Sequence, residues 1–135
     1  MAIRRNFLQS LAAMPTALMA AGGTLPTVTM PEQQAKLTRE PFGDLRIYFE
    51  GPTAQIKSMT AGSLRLKAGM SPHPPHTHPE EEFMVVTEGN GEIVIEGKTS
   101  QVGPGAMMYC AANKSHGIRN TGPSPLHFFF YKWKA

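Results

Sequence analysis

The sequence predicts an all-β fold, and three observations lead to this prediction. Glycine and proline are frequent, at 13 and 12 of 135 residues, which suits short strands joined by turns. Short apolar or alternating segments recur between these turns from residue 42 onward. None of those segments keeps the 3.6-residue period of an amphipathic helix. A sandwich or barrel of short antiparallel strands is therefore expected.

The expected strands follow one another with clear turn signals between them. Alternation is clearest over residues 63–67, and Glu88-Gly89-Asn90-Gly91 has the composition of a hairpin turn. The other expected strands cover 44–50, 82–87, 92–96, 106–112, 117–120 and 126–133. Candidates for lining the interior are Met84, Met107, Met108, Tyr109 and Ile118.

Length and charge limit the classes of function. A chain of 135 residues has the size of one domain and can bury a core without disulfides. Cys110, the one cysteine, is expected to be a small buried hydrophobe. The net charge of +3 falls to about +1 once Arg4 and Arg5 are set aside. Because no basic stripe remains, nucleic-acid binding is not expected.

Residues 1–22 have the plan of a secretory signal, with a charged start, an apolar stretch and small residues. The apolar stretch, Leu11 to Ala21, is shorter than the roughly 20 residues that span a bilayer. Arg4-Arg5-Asn6-Phe7-Leu8-Gln9 resembles the twin-arginine export signal; an amphipathic terminal helix is the alternative. We expect a periplasmic or secreted protein with no stable membrane insertion after the signal is removed. Residues 23–41 are expected to form a linker or irregular arm.

A cluster of histidines and a glutamate is the strongest chemical signal. In an extended backbone His76 and His78 point to the same side, so both can reach one ion. Glu82 opens an apolar strand, where a carboxylate is costly to bury unless it is paired or bound to a metal. His116 would complete a four-ligand set, although a solvated loop and an acidic turn remain alternatives. His73 lies off this register and is expected at the rim.

Two motifs carry a resemblance to a known family. The pattern Gly69-x6-His76-x-His78-x3-Glu82-x6-Gly89 resembles the first motif of the cupins, with one extra residue before the first histidine. His116-x3-Asn120 resembles the end of the second motif, which Gly97 and Pro104-Gly105 precede. Ala111 and Asn113 depart from that motif, because they stand where the family has Pro and Gly. Asn113 is the milder change, since Asn tolerates a left-handed backbone.

The resemblance covers about residues 42 to 133 and implies a jelly-roll-like barrel of six to eight strands. It also implies a metal inside the barrel mouth, with His76, His78, Glu82 and His116 as ligands, and a homodimer. The cupin domain is expected over 42–135. Three imidazoles and one carboxylate suit one divalent transition metal ion; Fe or Mn is favoured, with Ni, Cu or Zn also suitable.

Four protein ligands leave open positions for a substrate, O2 or water. The leading hypothesis is a metal-dependent enzyme of the dioxygenase type, acting on a small organic molecule. Glu82 is its candidate catalytic residue, and Met84 and Ile118 are candidates for the substrate pocket. One alternative is a periplasmic cupin that binds or senses a small molecule without catalysis. A third possibility is a structural protein with a vestigial site, whose stability chelators would not affect. His127, in the last strand, is expected to be structural.

Overall fold

A computed structural model describes residues 23–135, and nearly all regular structure in this range is β-strand. The predicted signal peptide and its paired arginines, in residues 1–22, lie outside the described residues. Among residues 23–135, no helix has the length and apolar character needed to cross a membrane. The all-β prediction is confirmed. The strands are β1 (Lys36–Glu40), β2 (Gly43–Gly51), β3 (Ser58–Leu66), β4 (Glu81–Glu88), β5 (Gly91–Ile95), β6 (Lys98–Val102), β7 (Met107–Cys110), β8 (His116–Asn120) and β9 (Leu126–Lys134).

The strands form two antiparallel sheets. One has six strands in the order β1-β2-β3-β9-β4-β7, and the other has three in the order β6-β5-β8. Strand β9 pairs with β3 on one side and β4 on the other, so the end of the chain lies in the middle of the large sheet. Side chains from both sheets form one core: Leu64, Leu66, Met84, Val86, Ile93, Met108, Cys110, Ile118, Leu126, Phe128 and Phe130.

The turn at Glu88–Gly91 does not close a hairpin, so that prediction is wrong. It leads from β4 in the large sheet to β5 in the small sheet, and these two strands do not pair. Gly89 has φ +84°, and a Cβ at this position would lie 2.4 Å from the carbonyl oxygen of Pro125. The Gly signal therefore marks a close backbone approach between the β4–β5 connection and the end of the β8–β9 connection. By contrast, Glu96-Gly97 does join two paired strands, β5 and β6, and both residues have positive φ.

Two strands were not expected from the sequence. Strand β1 lies within the segment expected to be an irregular arm, and a short 3-10 helix, Glu32–Gln34, precedes it. Strand β6 follows the Gly97 turn. Both strands lie at the edge of a sheet, and nearly all of their side chains are exposed. Because neither strand buries one face, neither has an apolar alternation in its sequence.

Strand β7 divides the expected interior residues between its two faces. Met108 and Cys110 are buried, which confirms the prediction for the cysteine. Met107 is 68% exposed and Tyr109 50% exposed, so their expected place in the interior is wrong. Side chains alternate along a strand, and Met107 and Tyr109 lie on the outer face.

Candidate metal centre

The histidine-bearing loop between β3 and β4 is hydrogen-bonded at several points to β8 and to the turn that precedes β8. His76 and His116 form an isolated antiparallel bridge, in which each backbone N–H donates to the other's carbonyl oxygen at 3.0 Å. The N–H of Asn113 donates to the carbonyl oxygen of His78 at 2.8 Å. Asn113 has φ +64°, the left-handed conformation for which Asn is suited. The loop thus has backbone partners at both predicted ligands.

Asn120 fixes the other end of the same loop. Its backbone N–H donates to the carbonyl oxygen of Met70, and its carbonyl oxygen accepts from Gly69 N–H, both at 3.0 Å. Its fully buried side chain donates to the carbonyl oxygens of Leu66, at 3.1 Å, and Ser124, at 2.8 Å. The residue that ends the second motif therefore has a structural role, because it satisfies backbone groups where the loop leaves β3.

Two imidazole rings are oriented by backbone carbonyls. Nδ1 of His78 lies 3.0 Å from the carbonyl oxygen of Glu80, and Nδ1 of His116 lies 3.0 Å from that of Lys114. A carbonyl oxygen only accepts, so Nδ1 carries the proton in both rings. Their Nε2 atoms converge on one carboxylate oxygen, Oε1 of Glu82, at 2.9 and 3.0 Å. Metal-ligating histidines are commonly oriented by such a partner on the second nitrogen.

Glu82 is a buried carboxylate, with only 4% of its surface exposed. Burial alone raises the pKa of Glu82, but hydrogen bonds and charge from His116 and His78 outweigh burial and lower it. The pKa of His116 is raised, mainly because its ring donates a hydrogen bond to Glu82. The two rings must therefore share either protons or a cation with this carboxylate.

His76 is held differently from the other two histidines. Burial, followed by the neighbouring rings of His73 and His116, lowers the pKa of His76 to about 4. At neutral pH its imidazole is therefore uncharged, which is the form that binds a metal. Its ring stacks on that of His73 at a centroid distance of 3.7 Å.

The donor set fits a divalent transition metal ion. One nitrogen from each of His76, His78 and His116 lies within 4.8 Å of the other two. Donors about 2.1 Å from one ion are at most about 4.2 Å apart, so nitrogens this close together are near the spacing that one ion requires. Glu82 contributes a carboxylate oxygen beside two of these nitrogens. The structure thus brings together the three histidines that the sequence suggested as ligands, and it places Glu82 beside two of them.

A cavity of about 290 Å³ opens beside this cluster. His76, Glu82 and Met84 line it, together with an apolar wall from the inner face of the large sheet and the β1–β2 turn. Ile118, the other candidate pocket residue, lies in the core and borders a second cavity behind the proline-rich loop. His73 lines both cavities, at the rim where it was expected. The apolar wall consists of Phe42, Leu45, Ile47, Leu64, Phe128 and Phe130.

Three polar cavity residues were not found by inspection of the sequence. Glu50, Thr60 and Lys132 come from three different strands of the large sheet and all line the cavity. Each is an ordinary polar residue near a strand end. Only the pairing register, which the sequence does not state, places them beside Glu82.

His127 has the structural surroundings that were expected. It is buried on the opposite face of β9 from Phe128, and its ring packs 5.1 Å from that of Phe129. Its Nδ1 lies 3.2 Å from the hydroxyl oxygen of Thr87. The nearest carboxylate oxygen, from the exposed Glu88, is 4.0 Å away.

The fold and site define a β-barrel protein with a candidate metal centre at its mouth. A family model described as the Cupin domain matches residues 62–131, just over half of the chain. The chain belongs to the cupin family. The match includes all four residues of the cluster.

Solved structures with the same fold belong to proteins of varied function. KdgF from Halomonas sp. has a TM-score of 0.67 and 18% identity, over 82% of this chain and 96% of that one. A predicted oxalate decarboxylase from Thermotoga maritima has a TM-score of 0.64 and 18% identity, over 80% of this chain and all of that one. The polyketide cyclase RemF from Streptomyces resistomycificus has a TM-score of 0.64 and 21% identity, over 82% of this chain and 81% of that one. No curated protein matches the chain by sequence. At these identities the structures establish the fold alone.

Proposed function

We propose that the protein is a metal-dependent cupin enzyme that acts on a small organic molecule, with dioxygenase chemistry as the leading class. One observation carries the proposal. Two oriented Nε2 atoms converge on the buried Glu82 beside a third, uncharged imidazole, at the wall of a cavity. Fe or Mn is the favoured ion. When bound, it would supply Lewis-acid activation of a substrate or of O2.

The chain's own residues contribute orientation and charge. The carbonyls of Glu80 and Lys114 hold the rings of His78 and His116, so that little reorganisation is needed on binding. Glu82 is ionised at neutral pH because its pKa is lowered. It is therefore available either as a ligand or as the group that takes a proton from a bound substrate, which is its proposed catalytic role. Met84 and the apolar wall line one side of the cavity and offer no hydrogen-bonding groups to water there.

A second candidate function is non-catalytic binding or sensing of a small molecule by the same cavity. The structural relatives include a polyketide cyclase and a predicted oxalate decarboxylase, and a fold does not choose among chemistries. A binding protein is stabilised by its ligand without consuming it. Turnover of the ligand separates the two functions.

The first test is elemental analysis of the protein purified from its native compartment, with His76→Ala as the control. We expect about one equivalent of Fe or Mn, lost in the variant. The Fe- and Mn-loaded proteins are then screened for O2 consumption and substrate loss with phenolic, carboxylic-acid and carbohydrate compounds. Binding without turnover across the panel favours the sensing function. Absence of stoichiometric metal from the wild-type protein contradicts the catalytic proposal.

We also propose export through the twin-arginine-type signal, which would place the protein in the periplasm or outside the cell. The ordered match of Arg4-Arg5 with Phe7-Leu8 supports this proposal. Replacing both arginines with lysine keeps the charge and should leave the chain in the cytosol with its signal attached. Normal export of that variant contradicts the proposal.

A homodimer is proposed as well. The outer face of the large sheet exposes Phe83, Met107, Tyr109 and Tyr131, and the rings of Phe83 and Tyr109 pack at 5.4 Å. Contiguous apolar surface of this kind often marks an interface. Sedimentation of the wild-type protein and of Tyr109→Glu should give a dimer and a monomer. A monomeric wild-type protein contradicts the proposal.

A further inference from the structure

A row of polar side chains crosses four neighbouring strands of the large sheet and ends at the candidate metal centre. Glu50 pairs with Thr60, Thr60 pairs with Lys132, and Lys132 pairs with Glu82. Residues directly opposite each other in a sheet have side chains on the same face. Because Glu82 faces the cavity, the other three must face it too, and all four line it. We call these four residues the polar row.

Lys132 and Glu50 are charged members of the row without a charged partner among residues 23–135. None of the ion pairs within 4.0 Å in that part of the chain includes either residue. The ammonium group of Lys132 lies 5.9 Å from the ring centroid of Phe130, an inner-face residue that also lines the cavity. The cation therefore lies over the cavity wall, where an ammonium group gains from an anionic partner.

The order of the charged and polar groups along the polar row indicates which groups a complementary ligand would carry. Beginning at the metal centre, a ligand meets the ammonium of Lys132, then the hydroxyl of Thr60, then the carboxylate of Glu50. Adjacent strands are about 4.8 Å apart, so Glu50 and Lys132 are separated by about 10 Å across the sheet. The cavity volume of about 290 Å³ limits the ligand to a small molecule.

We propose that Lys132 is a carboxylate-binding residue and that the protein acts on a small organic acid. The acid's carboxylate lies between Lys132 and the metal centre, and its carbon skeleton lies against Phe130 and Met84. Glu50 accepts a hydrogen bond from a hydroxyl group at the far end of the molecule. This substrate class rests on the proposed function of the same site, but the ammonium of Lys132 belongs to the chain and does not depend on the metal.

The test uses benzoate and its uncharged isostere benzamide as probes, with binding measured by calorimetry on the Zn²⁺-loaded protein. Zinc is chosen because it has no redox chemistry. We expect wild-type protein to bind benzoate at least 10-fold more tightly than benzamide. Lys132→Met should lose at least 10-fold in benzoate affinity, whereas Lys132→Arg should keep the preference. Lys134→Met removes the same charge from the exposed end of β9 and should bind like wild type. Lys132→Gln replaces Lys132→Met if thermal unfolding finds that variant unfolded.

Repeating the measurement after chelation separates this proposal from the metal site. A preference for benzoate that survives chelation and disappears in the Lys132 variant supports the proposal even if the metal assignment fails. A preference that disappears on chelation and survives in Lys132→Met belongs to the metal and overturns the proposal. Equal binding of the two probes by wild-type protein also overturns it.

The hydroxyl contact has its own pair of probes, 3-hydroxybenzoate and benzoate. Wild-type protein should favour the hydroxylated acid by about 5-fold, which is the size of one hydrogen bond. Glu50→Ala should abolish that difference while leaving the preference for benzoate over benzamide intact. An unchanged difference in Glu50→Ala removes Glu50 from the proposed binding site.

Discussion

His116 and His127 are both buried histidines on strands of the same barrel, with 1% and 6% of their surfaces exposed. Their surroundings differ in the carboxylate that each one meets. His116 is 3.0 Å from the buried Glu82, which His78 also contacts at 2.9 Å. His127 is 4.0 Å from Glu88, whose side chain is 61% exposed.

The pKa values of the two histidines move in opposite directions as a result. The hydrogen bond to Glu82 raises the pKa of His116. Burial, and then the charge of Arg65, lower the pKa of His127. Burial alone therefore does not indicate a ligand. What distinguishes the candidate site is the convergence of several oriented imidazoles on one buried carboxylate.

The largest effect on metal content is expected from a comparison of His116 and His127, each replaced by alanine. His116→Ala should lose stoichiometric metal, because it deletes one of three converging nitrogens. At an ion concentration 100 times the dissociation constant, wild-type protein should gain about 2.7 kcal/mol of unfolding free energy that this variant lacks. His127→Ala should keep its metal and the same gain in unfolding free energy from the bound ion. Metal analysis and thermal unfolding check both variants, and equal metal loss in the two would erase the distinction.

Removing the charge of one carboxylate is expected to have a smaller effect on metal binding. Glu82→Gln keeps the shape of the side chain but removes the charge, and should weaken metal affinity by at least about 10-fold, as losing even an outer partner of a ligand does. Glu88→Gln is the matched control and should leave affinity unchanged. Competition with a chromogenic chelator gives both values. Unchanged affinity in Glu82→Gln would remove this residue from the ligand set.

The backbone contact that holds His78 offers a third comparison. Asn113 donates to the carbonyl oxygen of His78 from a left-handed backbone. Asn113→Ala should cost about 1 kcal/mol of unfolding free energy, because a Cβ without a compensating polar side chain is strained there. Asn113→Gly should unfold at or above the wild-type denaturant concentration. Equal unfolding midpoints for the Ala and Gly variants would contradict the strained conformation.

The smallest effect is the pH dependence contributed by His127. Its pKa is lowered in the folded state, so the unfolded chain binds this proton more readily. The unfolding free energy should therefore fall as pH drops below about 6.5, the ordinary value for histidine. In His127→Gln the unfolding free energy should fall less steeply with decreasing pH, because the imidazole that takes up the proton on unfolding is missing. Denaturant unfolding from pH 7.5 to 5 tests this, and parallel curves for wild type and variant would contradict it.

The sequence predicted most of the central strands and the grouping of His76, His78 and His116, because each left a local pattern. Alternation marked β3, and the spacing of His76, His78 and Glu82 could be read without the fold. Strands β1 and β6 left no such pattern, because edge strands with exposed side chains are held by backbone pairing.

Long-range register is what the sequence could not provide. Lys132 lines the cavity because β9 pairs with β3 and β4 in the large sheet. Both of these strands are distant from β9 in the sequence. Glu88–Gly91 has the composition of a hairpin turn, yet it joins two sheets, because composition specifies a local turn and not the partner of the next strand. Ile118 was expected beside Met84 at the pocket, but the two lie on different sheets and border different cavities.

The most direct test of the metal centre is a crystal structure of the Fe- or Mn-loaded protein, with data collected at the absorption edge of the ion. We expect one anomalous peak within about 2.0–2.2 Å of a nitrogen from each of His76, His78 and His116 and of a carboxylate oxygen of Glu82. His73 should stay outside the coordination sphere. A peak bonded to His73 in place of one of these ligands, or no peak at the cluster in protein that contains the metal, would contradict the proposed ligand set.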